Sequence, residues 1–293
     1  QELTYKWYVD NIQIEESTSS YCPTGSDLEK FISVVVLDGE EQVGECNMFC
    51  SKLPVVYINT NKDDVITKED YITADLRIQG NDKYNSQNTT LYNNVTELKG
   101  HGNSTWLRFD KKAYRLKLDK STDLFGMGKN KHWVLIANYI DESCMRNMLS
   151  TYFGKQLGTT AMDAVWVDVV MNGECIGNYQ IYEHVRISED RVDIFDWEDT
   201  AGDIAEAIAA DAGLSSDDED VLKDSLETDF SWLTTDEVEY NGNKYTVSEH
   251  YDLPESNNGG FLIEMDSHFD EISKFYTDRN APIMIKKPEY INT

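Results

Sequence analysis

Polar and apolar residues alternate with period two from Lys112 to Leu118, where Tyr114, Leu116 and Leu118 interleave with Ala113, Arg115 and Lys117. That is the pattern of a half-buried strand. Short apolar runs predict further strands over 3–9, 32–37, 43–49, 55–60, 71–78, 133–137, 165–171 and 179–185. Asn172-Gly173, between the last two, is a strong hairpin signal. Residues 81–94 read as a polar loop rich in Asn, Ser and Thr. Helical spacing appears over 141–158, where Met145, Met148, Leu149, Tyr152, Phe153 and Leu157 share one face. Asp141 suits the start of that helix and Gly158 its end. The stripe is expected to be core.

The pattern changes twice along the chain. Residues 1–51 show all-β spacing, with turns at Pro23-Thr24-Gly25 and Asp38-Gly39. YKWYVD there resembles the central tryptophan strand of immunoglobulin-like modules. The expectation is a partial module of that kind over 1–51, packed apart from a second domain over 52–293 that begins at Lys52-Leu53-Pro54. Residues 196–255 then carry 19 acids against two lysines. They read as an inserted acidic subdomain at the periphery. Helices are expected over 203–211 and 217–230, the second with Leu222, Leu226 and Phe230 on one face, followed by a hairpin at Asn241-Gly242. Asp217 to Asp220 invite a calcium reading, but the glycine and terminal Glu of an EF-hand loop are missing, so a solvated face is expected. FLIEMD, carrying Glu264 and Asp266, and residues 283–285 predict the last strands.

Charge narrows the function. The formal net charge is −28, with a pI near 4.4. Such a field repels nucleic acid and anionic membranes, and favours cations and basic protein partners. No run approaches the ~20 apolar residues of a membrane span. Gln1 is not an initiator, so a mature or excised segment is expected. Five cysteines are too few and too odd a set for a disulfide framework. The Cys46–Cys50 spacing does not suit zinc, and one bridge from Cys22 to Cys46 or Cys50 stays open. Sequons stand at Asn88, Asn94 and Asn103.

Chemistry concentrates just before the alternating strand. In KGHGNSTW, residues 99–106, Gly100 and Gly102 bracket a loop lined by Asn103, Ser104 and Thr105. Such a loop leaves backbone N–H groups open to phosphate oxygens, and a lysine on the next strand reaches the same anion. A tight hairpin with a cationic outer edge is the plainer alternative. The order over 95–185 reads as strand, glycine loop, strand, lysine-bearing strand, helix, strand, hairpin, strand and polar linker, which is that of a protein-kinase N-lobe. The ordinary kinase signatures are absent, and Asp229-Phe230-Ser231 lies inside the acidic stretch.

Several separated motifs resemble the spore coat protein H (CotH) kinase family: KGHGNSTW, KKAYRLKLD, LFGM, KNKHWVLIANYID, MRN, VVMNGECIGNYQIYEHV and GGFLIEMD. The resemblance implies an α+β fold, an atypical protein-kinase-like N-lobe with an antiparallel sheet and one main helix. An all-β fragment precedes it. It implies a kinase that uses ATP and a divalent metal such as Mg to phosphorylate Ser or Thr of secreted or surface proteins, hence an extracellular or cell-surface location. By the same resemblance Gly100, Gly102, Asn103, Ser104 and Thr105 match the family's glycine loop. Lys112 and Lys117 match its phosphate-side lysines, without a choice between them. Arg146 and Asn147 match the helix motif, and Glu183 to Val185 match the linker beside adenine. His101 stands where the family usually has Arg. The family's later catalytic and metal segments are expected beyond the last residue, so the catalytic and metal residues are not assigned. Weak ATP binding without transfer is the expectation. Two other readings remain: a non-catalytic surface binding or adhesion module, and a glycosidase using Glu183, Glu264 or Asp266, which needs carboxylates ~5–9.5 Å apart.

Overall fold

The computed structural model describes residues 3–80, 90–255 and 259–291. They gather in two compact units, Gln1–His184 and Val185–Thr293. The first unit opens with β1 (Leu3–Val9), β2 (Ile12–Gln13), β3 (Phe31–Asp38) and β4 (Glu41–Phe49). These form an antiparallel sheet of their own in the order β2-β1-β3-β4. Then come β5 (Val55–Thr60), β6 (Ile72–Gln79), β7 (Thr90–His101), the one-turn α1 (Ser104–Arg108), β8 (Ala113–Asp123), β9 (Lys129–Ile136), α2 (Arg146–Gln156), β10 (Ala164–Met171) and β11 (Glu174–Glu183). The sequon at Asn88 lies outside the described residues. Residues 90–94, expected as loop, belong to β7.

Seven of these strands close a barrel in the order β10-β11-β9-β8-β7-β6-β5. Neighbours are antiparallel except at the seam, where Val55 to Ile58 run parallel to Asp168 to Met171. Period-two alternation fills the interior: Val56, Ile58, Leu76, Ile78, Leu98, Leu116, Trp133, Leu135, Val167, Val169 and Ile181 are all buried. Odd-numbered residues of β7 and β8, including Lys99, Arg115 and Lys117, therefore point outward.

This architecture corrects the expected fold class. The first unit is not a kinase-like N-lobe with an antiparallel sheet and one main helix. The described residues are mostly β, with a closed barrel and five short helices in all. The order of elements along the chain is the same for an open and a closed sheet. Closure depends on β5 meeting β10, a pairing over a hundred residues apart that removes both free edges.

The helix is also corrected. Leu149, Tyr152 and Phe153 are 44%, 58% and 58% exposed, so the expected core stripe faces outward. Of the stripe only Met148 is half-buried, together with Thr151 and Gly154. Just before the helix, Trp166 Nε1 and Gln180 Nε2 donate to Cys144 O at 3.2 and 2.8 Å. Periodicity shows that a helix has an apolar face, not that anything covers it.

The N-terminal sheet stays separate from the barrel sheet but is anchored on its outer wall. Phe49 packs with Val55, Tyr57 and Val170, and the Phe49 amide donates to Tyr57 Oη at 2.9 Å. The five cysteines are free thiols.

In the second unit, α3 (Trp197–Ala212), α4 (Ser216–Thr228), α5 (Trp232–Thr235), β12 (Glu237–Tyr240) and β13 (Asn243–Thr246) fold around a core of their own. Trp197, Ile204, Ile208, Leu222, Leu226 and Trp232 are buried in it. Asp196 caps α3, accepting from the amides of Glu198 and Asp199, and Ser215 and Asp218 form a capping box on α4. Three of the acids once open to a calcium reading, Asp217, Asp218 and Glu219, occupy the first turn of α4, where the helix dipole favours negative charge. A sheet of β14 (Leu262–Glu264), β15 (Lys274–Tyr276) and β16 (Pro282–Lys287), ordered β14-β16-β15, completes the unit.

Candidate functional site

The glycine hairpin joins β7 to β8 through α1. Gly100 is required by close approach, because a Cβ there would stand 2.6 Å from Trp106 Cη2. Its amide is held by Thr67 O at 2.6 Å. Gly102 turns the chain with φ near +87°, a left-handed conformation that side chains disfavour, and Thr105 Oγ1 fills the space beside it. Ser104 and Thr105 then open α1.

Two lysines brace this turn. Lys68 Nζ donates to Asn103 Oδ1 at 2.7 Å. Lys112 folds back from the start of β8 to donate to Trp106 O at 2.5 Å, with its Nζ 5.5 Å from the Trp106 ring centroid. Lys112 thus ties the two arms of the hairpin together. Lys111 turns the other way, donating to Asn178 O with its ammonium 4.4 Å from the Tyr179 ring, and burial lowers its pKa.

On the outer face of β7 and β8 the register pairs Glu97 with Lys117, Lys99 with Arg115, and His101 with Ala113. Lys117 bonds Glu97 at 2.6 Å. Tyr71 lies beneath two cations, 4.7 Å from Lys99 Nζ and 5.8 Å from Lys117 Nζ. His101 sits where this face meets the hairpin. Burial, aided by repulsion from Arg115, Lys68 and Lys99, pushes its pKa down to about 4. His101 is therefore neutral at physiological pH, with three cations converging on it.

The other expected residues lie elsewhere. Arg146 opens α2, is largely exposed and pairs with Asp141 at 3.6 Å. Asn147 donates to Asn138 Oδ1 at 2.9 Å. Glu183, at the end of β11, is buried and accepts the Asp163 amide at 2.5 Å. Register places it in the row of Leu98, Leu116 and Trp133, inside the barrel and offset from Gly100. Val185 is about half exposed and opens the second unit. Glu264 pairs with Lys286 at 3.3 Å and Asp266 with His268 at 3.5 Å. The structure thus gathers Gly100, Gly102, Asn103, Ser104, Thr105 and Lys112 in one turn, with Lys117 on the adjoining outer face. It brings in Lys68, Lys99 and Arg115, which the sequence reading had not singled out. Strand parity could have found the last two, since they share a face with Lys117; Lys68 had no local signal.

This arrangement suits an oxyanion. It offers concentrated positive charge beside the turn, in a chain that is otherwise strongly acidic. Among the described residues, no three His, Cys, Asp or Glu side chains form a group able to hold a metal ion.

The hairpin and the elements after it also define a class of protein. The CotH kinase protein family matches residues 98–256, from the end of β7 through the acidic helices. That is more than half of the chain, and the chain belongs to this family. No match was found among curated proteins.

Proposed function

We propose that the hairpin between β7 and β8 binds the phosphates of ATP, and that the protein is a kinase acting on Ser or Thr of secreted or cell-surface proteins. One observation carries the reading: Lys68, Lys99 and Arg115 converge on a neutral His101 beside the glycine turn. Cations crowded together repel, and a bound triphosphate would relieve that repulsion. Family membership supports a kinase-like role with ATP and a divalent metal.

ATP, with its metal, supplies the transferable phosphoryl group. Lys99 and Arg115 stand on the outer face to neutralise phosphate charge, and Lys68 can join them by leaving Asn103. The backbone after Gly102, with Asn103, Ser104 and Thr105, shapes the turn against the anion. Lys112 keeps the hairpin closed through Trp106 O, and Lys117, tied to Glu97, extends the positive face.

Titration calorimetry with Mg-ATP tests this. A charge-assisted hydrogen bond contributes roughly 1.5–3 kcal/mol, so Lys99→Ala and Arg115→Ala should each weaken binding about tenfold or more. Wild-type protein that binds no ATP, or binding indifferent to both substitutions, would overturn the assignment. Transfer from labelled ATP to a Ser-rich acceptor tests the kinase step separately.

A second reading has its own observation. The exposed apolar face of α2 suits a surface that binds other proteins, as a non-catalytic adhesion module would. ATP binding without transfer, together with capture of a protein partner lost on Tyr152→Ser, would favour it.

A further inference from the structure

A cleft of about 520 Å³ opens on the first unit, away from the hairpin. It lies between the N-terminal sheet and the outer wall of β5, β6 and β7. Asn93 on its rim is eight residues along β7 from His101, roughly 27 Å at the rise of a strand. Its volume falls within the roughly 300–1,000 Å³ of small-molecule sites.

The lining is unusual in its chemistry. Asn47, Asn59 and Asn93 bring three open carboxamides beside that of Asn94, which donates to Asp119; Asp75 adds a carboxylate and Arg77 a guanidinium. No hydrogen bond or ion pair to another described residue engages the side chains of Asn47, Asn59, Asp75 or Asn93. Arg77 is held in place, its guanidinium 4.1 Å from the centroid of the Tyr57 ring, and Tyr57 is itself buried and accepts the Phe49 amide. Strand parity aims Tyr57, Asn59, Asp75, Arg77 and Asn93 outward from a barrel whose interior is packed, so the wall that carries them is rigid.

We propose that this cleft binds a neutral carbohydrate. A sugar hydroxyl both donates and accepts, and a carboxamide offers both functions from one planar group. Three carboxamides, one acceptor-only carboxylate and one donor-only guanidinium match a ring that presents several hydroxyls. The charges of Asp75 and Arg77 offset one another, so the lining does not select an anion as the hairpin does. A phosphate or an acidic glycan would meet Asp75 and the field of a chain with net charge −28. An apolar ligand would strand the amides without partners. Fixing Arg77 and the barrel wall beforehand lowers the ordering cost of binding. The site is separate from the proposed nucleotide site, and its occupancy does not depend on ATP.

The full-length chain, labelled, is screened on an array of neutral and acidic glycans, and the best neutral glycan is titrated by calorimetry. The expected result is retention of at least one neutral glycan, with affinity falling tenfold or more in the double variant Asn59→Ala, Asn93→Ala and in Arg77→Ala. Asn59 and Asn93 are exposed, so the double variant should melt as wild type does and bind ATP as wild type does. Retention of no neutral glycan overturns the proposal. So does preference for acidic glycans, or neutral binding that both variants leave unchanged. A peptide that displaces nothing from the array but binds the edge strand β4 would point to a different use of the same face, and would equally count against it.

Discussion

Gly100 lies against the ring of Trp106 so closely that a Cβ on Gly100 would stand 2.6 Å from the indole. The glycine loop is therefore defined as much by an aromatic lid as by backbone freedom. Gly100→Ala should force the ring outward and cost about 1–3 kcal/mol, the usual penalty of overpacking. Urea unfolding would show it as a lower midpoint at unchanged slope. Adding Trp106→Ala should return part of the loss, because the two residues are coupled through contact. Additive effects in the double variant would show that the ring does not rest on the glycine.

The cations around His101 make stability depend on pH. Its folded pKa, about 4, lies below the 6.5 of a free imidazole, so the unfolded chain binds the proton more readily between those values. Above about pH 6.5 both states are neutral and the group contributes nothing. As pH falls toward 4 the unfolded state gains, and the loss grows to at most roughly 3 kcal/mol. The many carboxylates titrate in the same range, so the measurement is a difference. Stability curves of wild type and His101→Asn from pH 7 to pH 4 should diverge, with wild type losing more. Parallel curves would mean that His101 protonates freely in the folded protein.

The outward face of α2 predicts tolerance where sequence pattern predicts fragility. Phe153→Ser and Leu149→Ser should shift stability by no more than about 0.5 kcal/mol, the ordinary range for surface positions. A buried Phe or Leu would cost several times that. Thermal melts of the two variants separate the cases directly.

The acidic helices should behave as a core in their own right. Ile204 is fully buried among Trp197, Leu222 and Trp232. Ile204→Ala should destabilise its surroundings by about 2–5 kcal/mol. Hydrogen exchange should quicken in α3 and α4 while the barrel strands keep their protection. Equal acceleration in β7 and β8 would mean that the two units unfold together.

Much was legible along the chain because it is local. Alternation in residues 113–118 placed Tyr114, Leu116 and Leu118 inward, and the structure buries all three. Asn172-Gly173 and Asn241-Gly242 announced their hairpins through turn chemistry alone. The glycine loop and its neighbouring motifs were enough to place the chain in its family. What stayed hidden depended on distant partners. No pattern within β5 or β10 shows that Val55 and Asp168 meet, yet that pairing turns a sheet into a barrel. The stripe on α2 could not reveal that Leu149, Tyr152 and Phe153 would stay exposed. Lys68 comes beside Asn103 only because β6 and β7 fold back on each other, and Arg77 reaches Tyr57 because β5 and β6 pair. The sequence by itself determined the strands, the turns and the family, since each rests on neighbouring residues. The tertiary structure decided the barrel, the exposed helix face and the company each charge keeps, because those follow from which distant segments satisfy one another's backbone and bury one another's side chains.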